Sequence, residues 1–125
     1  MHEEEIGKLV IDSAMKVHSA LGPGLLESAY RACLAHELEL RGLDVSQEKP
    51  LPVLYEGAEI SVGYRIDLLL NQKVIVELKA VEKLLPIHTA QLLCYLKLSG
   101  CKLGFLINFN VLHLKDGIKR VVNGL

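Results

Sequence analysis

The segment from Ile60 to Ala80 constrains the fold most, because only one strand register separates its apolar from its polar side chains. A three-residue loop at positions 71–73 makes the flanking segments a hairpin in which directly opposed residues share a face. One face then carries an unbroken aliphatic set: Ile66, Leu68, Leu70, Val74, Val76 and Leu78. A two-residue loop mixes polar and apolar residues on both faces. We therefore predict the three-residue loop and expect the aliphatic face to lie in the core.

The other face of this hairpin carries charge. The same register places Asp67 directly opposite Glu77 and Arg65 opposite Lys79, with Leu69 and Ile75 at the turn end. Opposed carboxylates repel each other unless a proton or a cation is shared between them. Mg²⁺ accepts a few carboxylate oxygens together with water and phosphate oxygens, so the pair predicts a divalent metal site. Lys79 projects from the same face as Glu77 because strand side chains repeat with period two.

A solvated strand face is the competing interpretation of these charges. Glu-x-Lys is common among exposed strand residues, and Arg65 could neutralise Asp67 or Glu77 in an ordinary surface cluster. An acidic pair over an unbroken aliphatic face is nevertheless poor design for stability alone. The pattern therefore favours a site.

The remaining pattern predicts an α/β fold. Helices are expected over 3–21, 25–41 and 87–98, the last opened by Pro86, and Gly42 and Gly100 follow two of them. Strands are expected over 51–55, 60–70, 74–80, 102–109 and 117–122, with the polar stretch 46–49 between elements. The order strand, helix, strand between 74 and 109 indicates a right-handed crossover joining parallel strands. The sheet should therefore be mixed.

Composition limits where and how such a site works. The 125 residues are half apolar, enough for one domain over 1–125 with a substantial core. Fourteen basic and fifteen acidic residues give no overall field that attracts a polyanion, so nucleic-acid binding must use a local patch or a bound cation. The three cysteines have no metal-ligand spacing, and no signal-peptide or membrane-spanning pattern occurs. We expect a soluble cytoplasmic protein.

A family resemblance joins these residues. Asp67, the Glu77-Leu78-Lys79 strand and Gln91 with Tyr95 on the next helix resemble the PD-(D/E)xK nuclease superfamily. The stretch 24–30, GLLESAY, matches the signature of its small GxxExxY subgroup, and the likeness extends from the first helix to residues 119–122. It implies a restriction-endonuclease-like core, a mixed central β-sheet flanked by helices. The proline of the motif's name is absent, because Ile66 precedes Asp67.

The resemblance also implies roles for individual residues. Asp67 and Glu77 would hold Mg²⁺ or Mn²⁺, Lys79 would activate or orient the attacking water, and the substrate would be DNA or possibly RNA. Glu27 would complete the metal site, and Gln91 corresponds to a polar residue that the superfamily carries on the helix after the Glu-x-Lys strand. From the residues alone, Glu27 is equally well explained by the helix dipole, and Gln91 by a polar edge beside the core.

Three further residues are candidates for contact with nucleic acid: Tyr30, His18 and Tyr95. Tyr30 could stack on a base, although its helical spacing with Leu26 and Leu34 favours the core. His18 could contact a phosphate, although a structural histidine is the commoner case. Tyr95 shares a helix face with Gln91.

A second hypothesis keeps the fold without the chemistry. The small size and neutral charge would suit a non-catalytic module that binds nucleic acid or protein and regulates, as a homodimer or with a partner. The intact acid and lysine set argues against it. A small-molecule phosphate hydrolase is weaker still, because the chain has no glycine-rich phosphate loop followed by lysine.

Overall fold

The protein, described over residues 1–125 by a computed structural model, has a five-stranded sheet between helices, with a separate two-stranded hairpin. The helices are α1 (Glu3–Leu21), α2 (Glu27–Leu40) and α3 (Pro86–Ser99), with a 3₁₀ turn at Leu114–Gly117. The strands are β1 (Val45–Pro50), β2 (Val53–Tyr55), β3 (Ala58–Ile60), β4 (Arg65–Leu70), β5 (Val74–Lys79), β6 (Leu103–Asn108) and β7 (Ile118–Val122). No helix is long and apolar enough to cross a bilayer.

The sheet is mixed, as predicted. Its strand order is β1-β4-β5-β6-β7, and only β5 and β6 run parallel, joined by α3. Helices cover both faces, which explains why β5 and β6 are apolar almost throughout. The core against α1 and α2 includes Ile6, Val10, Leu34, Leu38, Leu68 and Val76. The core against α3 includes Leu69, Ile75, Leu92, Leu96 and Leu106.

The hairpin register is confirmed at its turn end. Leu70 pairs with Val74, Leu69 with Ile75 and Leu68 with Val76, around the predicted loop at 71–73. The ladder stops there. Further along, β4 pairs only with β1 on its other side, and Arg65 lies opposite Pro50 rather than Lys79. The two strands of the hairpin therefore separate just where the charged residues begin.

This separation corrects one expectation about the aliphatic face. Five of its six residues lie in the core under α1 and α2, but Ile66 joins the cluster on the α3 side, with Leu51 and Tyr95. Ile66 lies before Leu68, the first β4 residue that pairs with β5. The pairing that would place Ile66 on the same face as the other five residues is therefore absent.

Element boundaries differ elsewhere too. The stretch 46–49, expected between elements, lies within β1, an edge strand whose outer half is exposed and so carries no apolar signal. The expected strand 60–70 is divided into β3 and β4, and Gly63 between them has a φ of 84°. The second helix begins at Glu27 rather than Leu25, and Leu26 occupies its N-cap position.

Candidate metal and nucleic-acid site

Two carboxylates bridge the gap between β4 and β5. The backbone N–H of Asp67 donates to Glu77 Oε2 at 2.8 Å, and the backbone N–H of Leu78 donates to Asp67 Oδ2 at 2.8 Å. These bonds satisfy N–H groups that the interrupted ladder leaves without a cross-strand partner. Hydrogen bonds from N–H to a carboxylate are short and strong, so the backbone fixes the position of both acids. The predicted opposition of Asp67 and Glu77 is realised as a reciprocal cross-link.

Glu77 is an unusual place for a negative charge. Glu77 is only 6% exposed. Burial raises the pKa of its carboxyl group to about 8, and the adjacent Asp67 carboxylate contributes to this rise. The hydrogen bond from the Asp67 backbone and the positive charge of the nearby Lys79 lower the pKa of Glu77. Near neutral pH this pair therefore shares a proton or requires a cation.

The donor atoms suit a divalent metal ion. One oxygen of each carboxylate accepts a backbone N–H, whereas the other oxygen of each, Asp67 Oδ1 and Glu77 Oε1, accepts no N–H, and the two carboxyl groups lie within hydrogen-bond reach of each other. Two carboxylate oxygens, with room left for water and a phosphate oxygen, match the coordination that Mg²⁺ accepts. The residues present therefore fit a bound cation.

Glu27 lies near this pair in the first turn of α2. Burial raises its pKa, the Asp67 carboxylate raises it further, and Lys79 and Arg31 lower it. These influences place Glu27 within electrostatic reach of the site. However, no three Asp, Glu, His or Cys side chains converge as a metal-binding group. A third ligand role for Glu27 stays a prediction.

Lys79 ends β5 beside the acids and makes no ion pair. It lines a pocket together with Gln91 and Tyr95, so the structure brings these predicted residues to one surface. The side-chain amide of Gln91 makes no hydrogen bond within the protein. Lys79 and Gln91 are therefore both available to a ligand.

Asn108, which fixes the chain just after Lys79, is a residue that the sequence patterns above do not predict. Asn108 lies opposite Lys79 in the parallel ladder and is buried. Its Oδ1 accepts the Val81 N–H at 3.1 Å, and its Nδ2 donates to the Val81 carbonyl at 2.9 Å. A single polar residue in the apolar run 103–109 is a signal that could have identified it.

Arg31 and Tyr64 were also missed. Arg31 follows Glu27 by four residues, a spacing that places both on one helix face. It pairs with Glu48 at 3.7 Å, and its buried Nε has no partner. Tyr64 lines the same pocket as Lys79 from the segment between β3 and β4, where no sequence period indicates it.

The structure speaks against one predicted nucleic-acid contact, because the Tyr30 side chain is buried. Tyr30 is fully buried, with its ring stacked on Phe109 at a centroid distance of 4.6 Å, so no face is free for a base. Its hydroxyl donates to the Gly22 carbonyl and accepts the Leu25 N–H, which fixes the turn before α2. His18 is 8% exposed and donates from Nε2 to the Val111 carbonyl at 2.7 Å, but it also lines a pocket with Lys115, so its contact with a phosphate stays a prediction. Both residues have structural roles.

Comparison with known proteins identifies the family. Residues 4–121 match the family model described as the PD-(D/E)XK nuclease superfamily, whereas no curated protein and no solved structure matches the chain. Members of this superfamily generally use divalent metal ions such as Mg²⁺ and act on nucleic acid. The observed mixed sheet between helices is the restriction-endonuclease-like architecture that the resemblance implied. Because the match includes the acid pair, Lys79 and the helix that carries Gln91, we conclude that the chain belongs to the PD-(D/E)XK nuclease superfamily.

Proposed function

We propose that this chain hydrolyses phosphodiester bonds in nucleic acid, DNA in the first instance, using Mg²⁺ or Mn²⁺ held by Asp67 and Glu77. The observation that carries the proposal is the cross-link between these two acids. It fixes two carboxylates against their mutual repulsion and leaves one oxygen of each without an N–H donor. A pair serving stability alone would not bury a carboxyl group whose pKa is raised to about 8.

Within this proposal, the acids bind the metal ion and the backbone orients them. A bound divalent ion supplies Lewis-acid stabilisation of the phosphate charge and a lower pKa for water. Asp67 and Glu77 need no rearrangement to take part, because the Asp67 and Leu78 N–H groups already hold them. Such preorganisation reduces the reorganisation that the reaction requires.

Lys79 contributes positive charge at the same place. Its ammonium group makes no ion pair in the protein and lies at the wall of the neighbouring pocket. A phosphate bound beside Asp67 and Glu77 would therefore meet a cation that stabilises negative charge developing on it. The Gln91 amide, on the same pocket wall, can donate a hydrogen bond to a substrate oxygen.

We also propose that the chain belongs to the GxxExxY subgroup. Its signature residues share one local structure, which supports this assignment. Gly24 has a φ of 103°, which favours glycine, and the Tyr30 hydroxyl bonds to Gly22 and Leu25, which flank Pro23 and Gly24. This turn leads into α2, which carries Glu27 towards Asp67.

The test is cleavage of labelled single-stranded DNA, duplex DNA and RNA with Mg²⁺, with Mn²⁺ and with chelator. We expect cleavage that needs the metal and is lost in Lys79→Met. The matched control is Lys102→Met, because Lys102 is exposed and precedes β6 at the end of the parallel pair away from Lys79. No cleavage of any substrate, together with no Mg²⁺ or Mn²⁺ binding by calorimetry, would refute the proposal and favour the non-catalytic binding module.

A further inference from the structure

A pocket of about 600 Å³ opens beside Lys79. It lies between α3 and the segment that leads from β2 to β4, and seven of its ten lining residues are hydrophobic. This volume lies within the range of roughly 300–1,000 Å³ that small-molecule sites occupy. The hydrophobic lining is unexpected next to two acids and a lysine, because charged substrate groups gain nothing from it.

The pocket presents aromatic and aliphatic side chains to solvent. Tyr64 is 46% exposed and Ile87 is 66% exposed, so neither is used fully by the core. Tyr64 lies 6.0 Å from Tyr95, ring centroid to ring centroid, at an interplanar angle of 55°. Tyr95 is buried and packs against the Tyr64 ring, which restrains the position of that ring. A partly exposed ring on such a support can stack on a flat ligand.

The charge of the lining selects the kind of ligand. Lys79 and His88 are the only titratable groups in it besides the two tyrosines and Cys94, and it contains no carboxylate. An apolar, planar group is favoured inside, and a negative group is favoured at the Lys79 wall. A nucleotide carries both, because its base is planar and its phosphate is anionic.

We propose that this pocket binds one unpaired nucleobase next to the phosphate that is cleaved. The inference deepens the proposed function, on which it rests, by naming the substrate class: single-stranded nucleic acid, or a strand with an extruded nucleotide. A base inside a duplex hides its faces by stacking and its edge by pairing, so it cannot enter such a pocket without leaving the helix. The Gln91 amide and the Tyr95 hydroxyl have no hydrogen-bond partner in the protein and are available to the edge of the base.

The experiment measures binding of a short oligodeoxynucleotide that contains 2-aminopurine, in chelator so that no turnover occurs. We expect its fluorescence to change on binding, and its affinity to exceed that of the matching duplex at least tenfold. An oligonucleotide of the same length with an abasic site at that position keeps the backbone charge and should bind about tenfold more weakly, as expected for the loss of one stacked base.

Variants locate the base. Tyr64→Ala should weaken single-strand binding about tenfold, whereas Tyr64→Phe, which keeps the ring, should not. Tyr55→Ala is the matched control, because Tyr55 is an exposed tyrosine at the end of β2 that does not line the pocket. Ala90→Trp places a bulky ring at an exposed helix position in the lining and should block binding without disturbing the core.

Equal affinity for single strand, duplex and abasic strand would overturn the inference, as would equal effects of Tyr64→Ala and Tyr55→Ala. The proposed function fails separately. Cleavage in Mg²⁺ with an unchanged affinity in Tyr64→Ala would remove the base pocket alone. Base-dependent binding without cleavage with any metal ion would refute the proposed hydrolase activity and leave the base-binding pocket supported.

Discussion

Replacing Glu77 by glutamine should make the metal-free protein more stable near neutral pH. Glutamine has nearly the same shape and keeps an oxygen that can accept the Asp67 N–H now bound to Glu77 Oε2. Its amide N–H₂ can also donate to the Asp67 carboxylate, which a second carboxylate cannot do. The substitution therefore removes the repulsion between the two acids while it keeps the cross-link.

The size of the effect follows from the pKa of Glu77. Its value rises from 4.5 to about 8 on folding, so the folded protein binds the proton more tightly than the unfolded chain does. Stability from this group is complete below pH 4.5 and is lost as the pH rises towards 8, by about 1.4 kcal/mol per pH unit. Near pH 7, Glu77→Gln should gain about 3 kcal/mol over the wild type, and near pH 4.5 almost nothing.

The assay is urea unfolding of both proteins in chelator across this pH range. Glu37→Gln is the control, because the hydrogen bond from Lys16 lowers the pKa of Glu37 and the effect should have the opposite sign. Stability from Glu37 is present above its unfolded pKa and is lost as the pH falls. Adding Mg²⁺ at about 100 times its Kd should stabilise the wild type by about 2.7 kcal/mol and Glu77→Gln much less.

One result would refute this reasoning directly. If Glu77→Gln is less stable than the wild type near pH 8 in chelator, the ionised Glu77 carboxylate stabilises the fold. That result would refute the inferred repulsion between Glu77 and Asp67. A stability difference that does not depend on pH would show that packing, and not ionisation, separates the two proteins.

Three further predictions concern the surroundings of the site. Lys79→Met should lower kcat for nucleic-acid cleavage about 10²- to 10³-fold, measured at saturating metal, with only a small loss of thermal stability, because the ammonium group makes no ion pair although its charge favours ionised Glu77. Asn108→Ala should cost about 2 kcal/mol in urea unfolding, because it leaves the partly buried backbone groups of Val81 without their partner. Tyr30→Phe should cost about 1 kcal/mol and weaken Mg²⁺ binding only slightly in calorimetry, because it keeps the ring stack but frees the Gly22 turn.

The sequence alone determined the local elements and the turn end of the hairpin. Alternation of apolar and polar residues on two adjacent strands leaves one register that buries a whole face, and Leu68, Leu69 and Leu70 pair as that register requires. The helices follow from spacing, and α3 also from Pro86 at its start and Gly100 directly after its end. The crossover between β5 and β6 follows from element order, because a parallel pair needs a long connection.

Tertiary structure alone decided how the site is made. β4 pairs with β1 along its whole length but with β5 only at the turn end, and no pattern in the exposed residues of β1 predicts that long-range pairing. The gap that results turns two opposed acids into a cross-link with backbone N–H groups. Burial of Tyr30 gives it a role in the core rather than at a nucleic acid. The segment before β4, which has no periodic pattern, places Tyr64 in the same pocket lining as Lys79. The periodicity of side chains predicts the face of its own helix or strand on which a residue lies. It does not predict which distant segment packs against that face.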